Sequence, residues 1–152
     1  MRPKLKLYLD TSVISALFDE RNPERKSLTE SFFSGIDKYE IYISPFTLAE
    51  IEKTPDKVIK QKMIGKVSKF QVLNITRDIE EFTDEIVLSG AINQSYSEDA
   101  FHIATAIMSE MDFLLSWNFR HIVRKKTKDI IRMITTINNL RQIEIVTPAE
   151  LL

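Results

Sequence analysis

The chain reads LKLYLDTS over residues 5–12, and this stretch decides the fold. Apolar and polar residues alternate up to Leu9, as in a β-strand, and Asp10 follows at once. The next apolar run, VISALF at residues 13–18, is typical of a short helix. A strand that passes into a helix through an aspartate predicts a carboxylate at the carboxyl end of a strand, where ligands bind in α/β sheets.

Four further β-type runs follow downstream, and most of the intervals between them have helical patterns. Strands separated by helices are most simply joined by right-handed crossovers into a parallel sheet. We therefore predict an α/β fold in which a central, mainly parallel sheet of about five strands is covered by helices on both faces. One domain should span residues 1–152. The further runs are 40–43, 71–75, 113–115 and 143–146.

Helix starts are also visible in the sequence. A hydroxyl residue precedes proline or acidic residues at four places, which is a common N-cap pattern, and TPAE at residues 147–150 fits a capping box. Apolar residues at helical spacing predict a helix from Ser97 to Met111. The four expected N-caps are Ser44, Thr54, Thr76 and Ser97.

Composition excludes several classes of site. The 152 residues contain no cysteine and two histidines, so disulfides, thiolate nucleophiles and cysteine-bound zinc are excluded. Only three glycines are present, which excludes glycine-rich phosphate loops. With 21 basic and 22 acidic residues the net charge is −1, so any nucleic-acid site has to be local. Since no apolar run suits a signal peptide or a membrane span, we expect a cytoplasmic protein.

Polar side chains occur where strands end or helices begin. Asp10 ends the first strand, Glu50 lies early in the helix after the second, Asp99 starts the Ser97 helix and Asn118 follows the fourth strand. Taken singly, each has an ordinary structural explanation as a helix cap, a solvated glutamate, a complement to the helix dipole or a turn residue.

Taken together, the three acids predict a metal site. Mg²⁺ and Mn²⁺ prefer oxygen ligands and are held by few carboxylates together with substrate phosphates. Asp10, Glu50 and Asp99 would repel one another at close range unless a cation neutralised them. We therefore expect these three residues to be metal ligands and the metal-free protein to be the less stable form.

Four motifs in succession resemble one family. The chain reads YLDTSVI at 8–14, LAEI at 48–51, EDAFHIA at 98–104 and LLSWNFRHI at 114–122. In this order and spacing they resemble the PIN-domain family, and the size is similar to that of the VapC-like members. The resemblance covers essentially the whole chain and implies a PIN-like α/β/α fold.

The resemblance also implies an activity. PIN-domain proteins of this kind are metal-dependent ribonucleases, and the match places the Mg²⁺ (or Mn²⁺) site on Asp10, Glu50 and Asp99. Two roles stay open for Glu50, which would either complete the metal shell or orient the attacking water. The hydroxyls of Thr11 and Ser12 would fix Asp10 by hydrogen bonds. Asn118, which would position a water or a phosphate, stands where many PIN nucleases have aspartate. A catalytically weak PIN-fold module that binds RNA or protein therefore stays open as the alternative. An aspartyl-phosphate enzyme using Asp10 ranks lower, because the second aspartate expected two residues on is absent.

The resemblance further implies partners: an RNA substrate, a VapB-like antitoxin and a second copy in a homodimer, with toxin function. Basic residues follow Asn118 and would contact an RNA backbone, or form an ordinary solvated face. Trp117 or Phe119 would add base stacking. The phenylalanines expected either to contact a partner or to pack in the core are Phe32, Phe33 and Phe46. The basic run comprises Arg120, His121, Arg124, Lys125, Lys126, Lys128 and Arg132.

Overall fold

Five short strands form one parallel sheet with the first strand at its centre. The computed structural model describes residues 2–152. In chain order the strands run third, second, first, fourth and fifth across the sheet, and each neighbouring pair is parallel, as predicted. The strands are β1 (Lys6–Leu9), β2 (Glu40–Ile43), β3 (Gln71–Val72), β4 (Phe113–Leu115) and β5 (Glu144–Val146).

Helices connect the strands. Three short 3₁₀ segments lie at Ile36–Lys38, Gln94–Tyr96 and Pro148–Leu151. Within residues 2–152, none of the helices has the length and apolar character needed to cross a membrane. The helices are α1 (Thr11–Ala16), α2 (Pro23–Ser34), α3 (Pro45–Glu52), α4 (Lys57–Val67), α5 (Arg77–Leu88), α6 (Ser97–Met108) and α7 (Lys125–Ile137).

The core consists of two apolar clusters, one on each face of the sheet. Successive strand residues point to opposite faces, so Leu7 and Leu9 of β1 pack with α1 to α4, whereas Tyr8 packs with α5 to α7. The predicted three-layer α/β/α arrangement is therefore confirmed. Phe32 and Phe33 are buried in the first cluster, which confirms the core interpretation for these two residues.

The capping predictions are confirmed in part. The side chains of Ser44 and Thr76 accept hydrogen bonds from the first turns of α3 and α5, and Thr147 forms the predicted capping box with Glu150. Ser97 is instead the first residue of α6, so its predicted role as an N-cap is wrong.

Two predicted boundaries are wrong. The Thr54 N–H donates to the carbonyl of Ile51 at the end of α3, and α4 starts later because the carboxylate of Asp56 accepts from the N–H groups of Val58 and Ile59. The third strand covers Gln71–Val72 rather than 71–75. It lies at the edge of the sheet, and both of its residues are exposed.

Candidate active site

The carboxyl ends of β1 and β4 bring Asp10 and Ser116 together. Leu9 pairs with Leu115 in the sheet, and the Asp10 N–H donates to the Leu115 carbonyl at 3.2 Å. The Ser116 hydroxyl donates to Asp10 Oδ2, and the Ser12 hydroxyl donates to Asp10 Oδ1, both at 2.5 Å. Parallel strands pass into loops and helix N-termini at their carboxyl ends, so polar side chains collect at this edge of the sheet.

Asp10 is buried and has one further hydrogen-bond partner besides the two hydroxyls. Its side chain is the N-cap of α1, accepting from the Val13 N–H at 3.3 Å. Burial raises the pKa of Asp10, and this effect outweighs the opposing effects of the nearby His102 charge and the two serine hydroxyls. The capping explanation and the functional explanation therefore apply to the same carboxylate.

Glu50 lies on α3 and faces the same edge. Its Oε1 accepts from the Thr11 hydroxyl at 2.6 Å and lies 2.6 Å from His102 Nε2. Burial raises the pKa of Glu50, but the hydrogen bond and charge of His102, together with the Thr11 hydroxyl, more than offset it, so the pKa is lowered. Thr11, expected from the sequence to contact Asp10, thus contacts Glu50 instead.

His102 is a buried residue next to the site, and the sequence analysis did not include it among the candidate site residues. Its Nδ1 lies 2.6 Å from the Tyr8 hydroxyl, which in turn is 2.9 Å from the Ser44 hydroxyl. Burial lowers the pKa of His102, but the Tyr8 oxygen, Glu50 and Asp10 raise it more, to about 10. The Glu50 carboxylate that contacts His102 lies on another helix, α3.

Asp99 and Asn118 form the second half of the site. Asp99 is the third residue of α6, and its Oδ2 accepts from Asn118 Nδ2 at 3.2 Å. Asn118 Oδ1 accepts the backbone N–H groups of Arg120 and His121 at 3.1 and 2.9 Å, which fixes the amide orientation. Burial and the negative charge of Asp10 raise the pKa of Asp99.

Ser116 connects the two halves, and it was also missed from the sequence. Its hydroxyl donates to Asp10 and accepts from the backbone N–H of Asn118 at 2.9 Å. Asp10 and Asp99 are therefore joined through two intermediate residues, Ser116 and Asn118. The signal available in the sequence was the position of this serine, directly after an apolar strand.

The arrangement determines which residues could hold a cation. Within residues 2–152, no group of three or more histidine, aspartate or glutamate side chains is positioned to hold a metal ion. Glu50 is bonded to Thr11 and His102, whereas Asp10 and Asp99 each have a pKa raised by burial, and that of Asp99 is raised further by the charge of Asp10. A hard cation bound by one or two carboxylates, as Mg²⁺ usually is, fits these two oxygen donors.

Aromatic and basic residues surround this edge. Trp117 is buried and its Nε1 donates to the Thr29 hydroxyl at 2.9 Å, so the suggestion that it stacks on RNA is wrong. Phe119, by contrast, is half exposed. In the basic run, Arg124 is bonded to Thr127 and to a backbone carbonyl, and Lys125 pairs with an aspartate.

With the geometry described, the comparisons identify the family. The sequence matches the family model described as PIN domain over residues 7–126. The chain belongs to the PIN-domain family. The match includes every residue of the candidate site, from Asp10 to Asn118, so the resemblance seen in the four motifs is confirmed. No curated protein matches the sequence.

Solved structures with the PIN fold resemble the chain at low sequence identity. Rickettsia felis VapBC2, bound to a promoter DNA fragment, shares 16% identity at a TM-score of 0.53, covering 75% of this chain and 89% of that one. Mycobacterium tuberculosis VapC20, a sarcin-ricin loop cleaving toxin, shares 16% at 0.58, with 76% and 92% covered. VapBC-1 from nontypeable Haemophilus influenzae shares 14% at 0.56, with 95% and 98% covered. At these identities the likeness concerns the fold.

Proposed function

We propose that this PIN-domain protein is an endoribonuclease that uses Mg²⁺ or Mn²⁺ to hydrolyse phosphodiester bonds in RNA. PIN-domain proteins are nucleases and generally depend on a divalent metal. The observation that carries the proposal is the placement of two carboxylates with raised pKa, Asp10 and Asp99, at the carboxyl edge of the sheet. Such a pair is costly without a cation and suited to binding one.

The roles of the side chains follow from their contacts. Asp10 and Asp99 would hold the cation, which when bound supplies charge stabilisation at the phosphate and makes water more acidic. The hydroxyls of Ser12 and Ser116 orient Asp10, and Asn118 orients Asp99. These hydrogen bonds fix both carboxylates before substrate arrives.

Glu50 has a different role from the other two acids. His102 and Thr11 share its Oε1 and keep the carboxylate ionised, as its lowered pKa requires. Its Oε2 is the oxygen that remains to accept a hydrogen bond from the attacking water. Of the two roles that the sequence left open, we therefore favour orientation of water over direct ligation.

Cleavage of RNA tests the proposal. A mixed panel of structured and single-stranded RNAs should be incubated with wild type, Asp10→Asn and Asp84→Asn, each in Mg²⁺, Mn²⁺ and EDTA. Asp84 is an exposed carboxylate on α5 and serves as the matched control. We expect metal-dependent cleavage by wild type and by the control and none by Asp10→Asn. Cleavage retained in folded Asp10→Asn would contradict the assignment.

A second candidate function is a PIN-fold module that binds RNA or protein with weak catalysis or none. Asn118 in place of the aspartate found in many PIN nucleases favours it, as does the fact that no three-ligand group is assembled within residues 2–152. A folded sample that binds RNA but does not cleave it with any divalent ion would support this function. Measurable turnover would exclude it.

The partners belong to the same proposal. Two of the similar structures are VapBC complexes, and we propose that this chain is a cytoplasmic VapC-like toxin neutralised by a VapB-like antitoxin and that it forms a homodimer. Growth arrest on expression, relieved by co-expression of a cognate antitoxin, would support the toxin assignment. Light scattering of the purified protein would give its oligomeric state.

A further inference from the structure

Two aromatic rings are exposed, and both lie beside the candidate active site. Among the phenylalanine, tyrosine and tryptophan side chains of residues 2–152, only Tyr96 and Phe119 are exposed, at 48% and 50%. Tyr96 directly precedes α6, which carries Asp99, and Phe119 directly follows Asn118. An exposed aromatic ring is commonplace by itself, but the restriction of exposed rings to this rim suggests a function.

The Tyr96 ring is fixed against a residue of the site. It stacks on His121 with ring centroids 3.9 Å apart and an interplanar angle of 26°. The backbone N–H of His121 donates to Asn118 Oδ1, and the charge of the His121 ring lowers the pKa of Asp99. Tyr96 is therefore connected to the Asp99 side of the site by direct contacts.

The Phe119 ring packs against the buried side chain of Trp117. Its centroid is 6.2 Å from that of Trp117, which is held in place by its hydrogen bond to Thr29. The Arg25 guanidinium lies 5.2 Å from the Trp117 ring and 5.7 Å from the Phe119 ring, within the range of cation–π contact. This arrangement presents a half-exposed aromatic ring beside a cation.

The surroundings of the rings favour a nucleic acid over a protein partner. The Arg25 guanidinium lies within cation–π range of the Phe119 ring, Arg120 follows Phe119 in the sequence and His121 stacks on Tyr96, so both rings lie beside basic side chains. Aromatic rings combined with cations are the usual way in which proteins bind unpaired bases and their phosphates. In a duplex the faces of the bases are stacked on one another and are not available to such rings.

We infer that Tyr96 and Phe119, which border the Asp99–Asn118 pair in sequence and through their contacts, stack on unpaired bases of the RNA substrate. The part of this inference that names RNA as the ligand rests on the proposed function. It assigns to the two rings a binding role that is separate from the hydrolytic role of the carboxylates.

Equilibrium binding in EDTA tests the inference without metal-dependent cleavage. The probe is a fluorescent RNA of about twelve nucleotides carrying 2-aminopurine, used as a single strand and as the matching duplex. Tyr96→Ala and Phe119→Ala remove the rings, whereas Tyr96→Phe and Phe119→Trp retain them. Ile137→Ala, at an exposed position near the end of α7, is the matched control. Thermal melts establish that each variant is folded.

We expect wild type to bind the single strand more tightly than the duplex and to change the 2-aminopurine fluorescence on binding. Each alanine variant should weaken single-strand binding by about 5- to 100-fold, and the ring-retaining variants and the control should bind like wild type. Equal binding of single strand and duplex would overturn the inference. Alanine variants that bind RNA like wild type would also overturn it and would favour a protein partner for the two rings. Weak binding by the ring-retaining variants would also overturn it, since it would indicate a structural role.

The outcomes for the inference and for the proposed function are distinguishable. If the rings bind single-stranded RNA in EDTA but no metal supports cleavage, the inference stands and the nuclease proposal fails. If metal-dependent cleavage depends on Asp10 but binding is indifferent to both rings, the nuclease proposal stands and the inference fails.

Discussion

His102 Nε2 lies 2.6 Å from Glu50 Oε1 and joins α6 to α3 across 52 positions of sequence. A charged histidine donates from both ring nitrogens, so Nε2 donates to Glu50 and Nδ1 donates to the Tyr8 oxygen. The Tyr8 hydroxyl can then donate to Ser44, the N-cap of α3. One buried cation thereby connects the central strand, the cap of a helix and a candidate active-site carboxylate.

Removing this cation should destabilise the fold. In His102→Ala, Glu50 and the Tyr8 hydroxyl each lose one hydrogen-bond partner, and a buried volume is emptied, so we expect a loss of about 2–4 kcal/mol in the free energy of unfolding. Tyr8→Phe is the matched comparison, because it removes only a hydroxyl, at a cost of about 1 kcal/mol. Urea denaturation at neutral pH measures both values. Equal stabilities of His102→Ala and Tyr8→Phe would contradict the central role of the histidine.

Asp99→Asn should stabilise the metal-free protein. The folded-state pKa of Asp99 is raised, so its ionised form destabilises the fold at neutral pH, and a neutral amide removes that cost while still accepting from Asn118. We expect Tm to rise by about 1–3 °C in EDTA, and we expect Mg²⁺ to raise the Tm of wild type but not that of the variant. Differential scanning calorimetry measures both, with Asp84→Asn as the control. The same Mg²⁺-induced rise in Asp99→Asn and wild type would contradict a metal role for Asp99.

Asn118→Asp should have the opposite effect. The new carboxylate can still accept from the N–H groups of Arg120 and His121, but its other oxygen would face Asp99 Oδ2, which is now 3.2 Å from an amide donor. Two carboxylates at that distance repel unless a cation lies between them. We expect Tm to fall by about 2–4 °C in EDTA and the rise caused by Mg²⁺ or Mn²⁺ to exceed that of wild type. An unchanged response to metal would show that residue 118 lies outside the influence of the cation.

Much of the fold was predictable, because the relevant signals are local. The apolar run that stops at Leu9 fixes where the first strand ends, and the alternation of Leu7, Tyr8 and Leu9 determines which face each side chain covers. The start of α4 was not predictable, because Thr54 before proline and Asp56 both suit an N-cap. The Thr54 N–H closes the last turn of α3, and Asp56 caps α4. Only the three-dimensional path of the chain determines which of the two residues is the cap.

Four residues of the candidate site could be placed together from the sequence, but their connecting residues and contacts could not. Asp10, Glu50, Asp99 and Asn118 could be placed at one edge because the carboxyl ends of parallel strands lie together. The contact between His102 and Glu50 depends on how α3 and α6 pack, which no local pattern specifies. Likewise, the burial of Trp117 and the exposure of Phe119 are decided by tertiary contacts.

The opposite edge of the sheet offers a test of pH dependence. Asp112 precedes β4, accepts from the Lys6 N–H at 2.7 Å and pairs with Arg141. Burial raises the pKa of Asp112, but these two partners outweigh it and hold the pKa below its ordinary value of 3.8. A lowered folded-state pKa contributes stability that is present above the unfolded-state pKa and lost as pH falls through the folded-state pKa.

Asp112→Asn should therefore lower the free energy of unfolding by about 1 kcal/mol at neutral pH, a modest value because Arg141 is half exposed and the pair is screened by salt. The difference from wild type should shrink as the pH falls below the ordinary carboxyl pKa of 3.8, because the carboxylate of wild type then becomes protonated. Urea denaturation from neutral pH to below this value measures it. Asp129→Asn, whose carboxylate pairs with Lys125 on the exposed face of α7, is the control and should cost less at neutral pH. A difference for Asp112→Asn that persists unchanged at the lowest pH would show that packing, rather than charge, accounts for it.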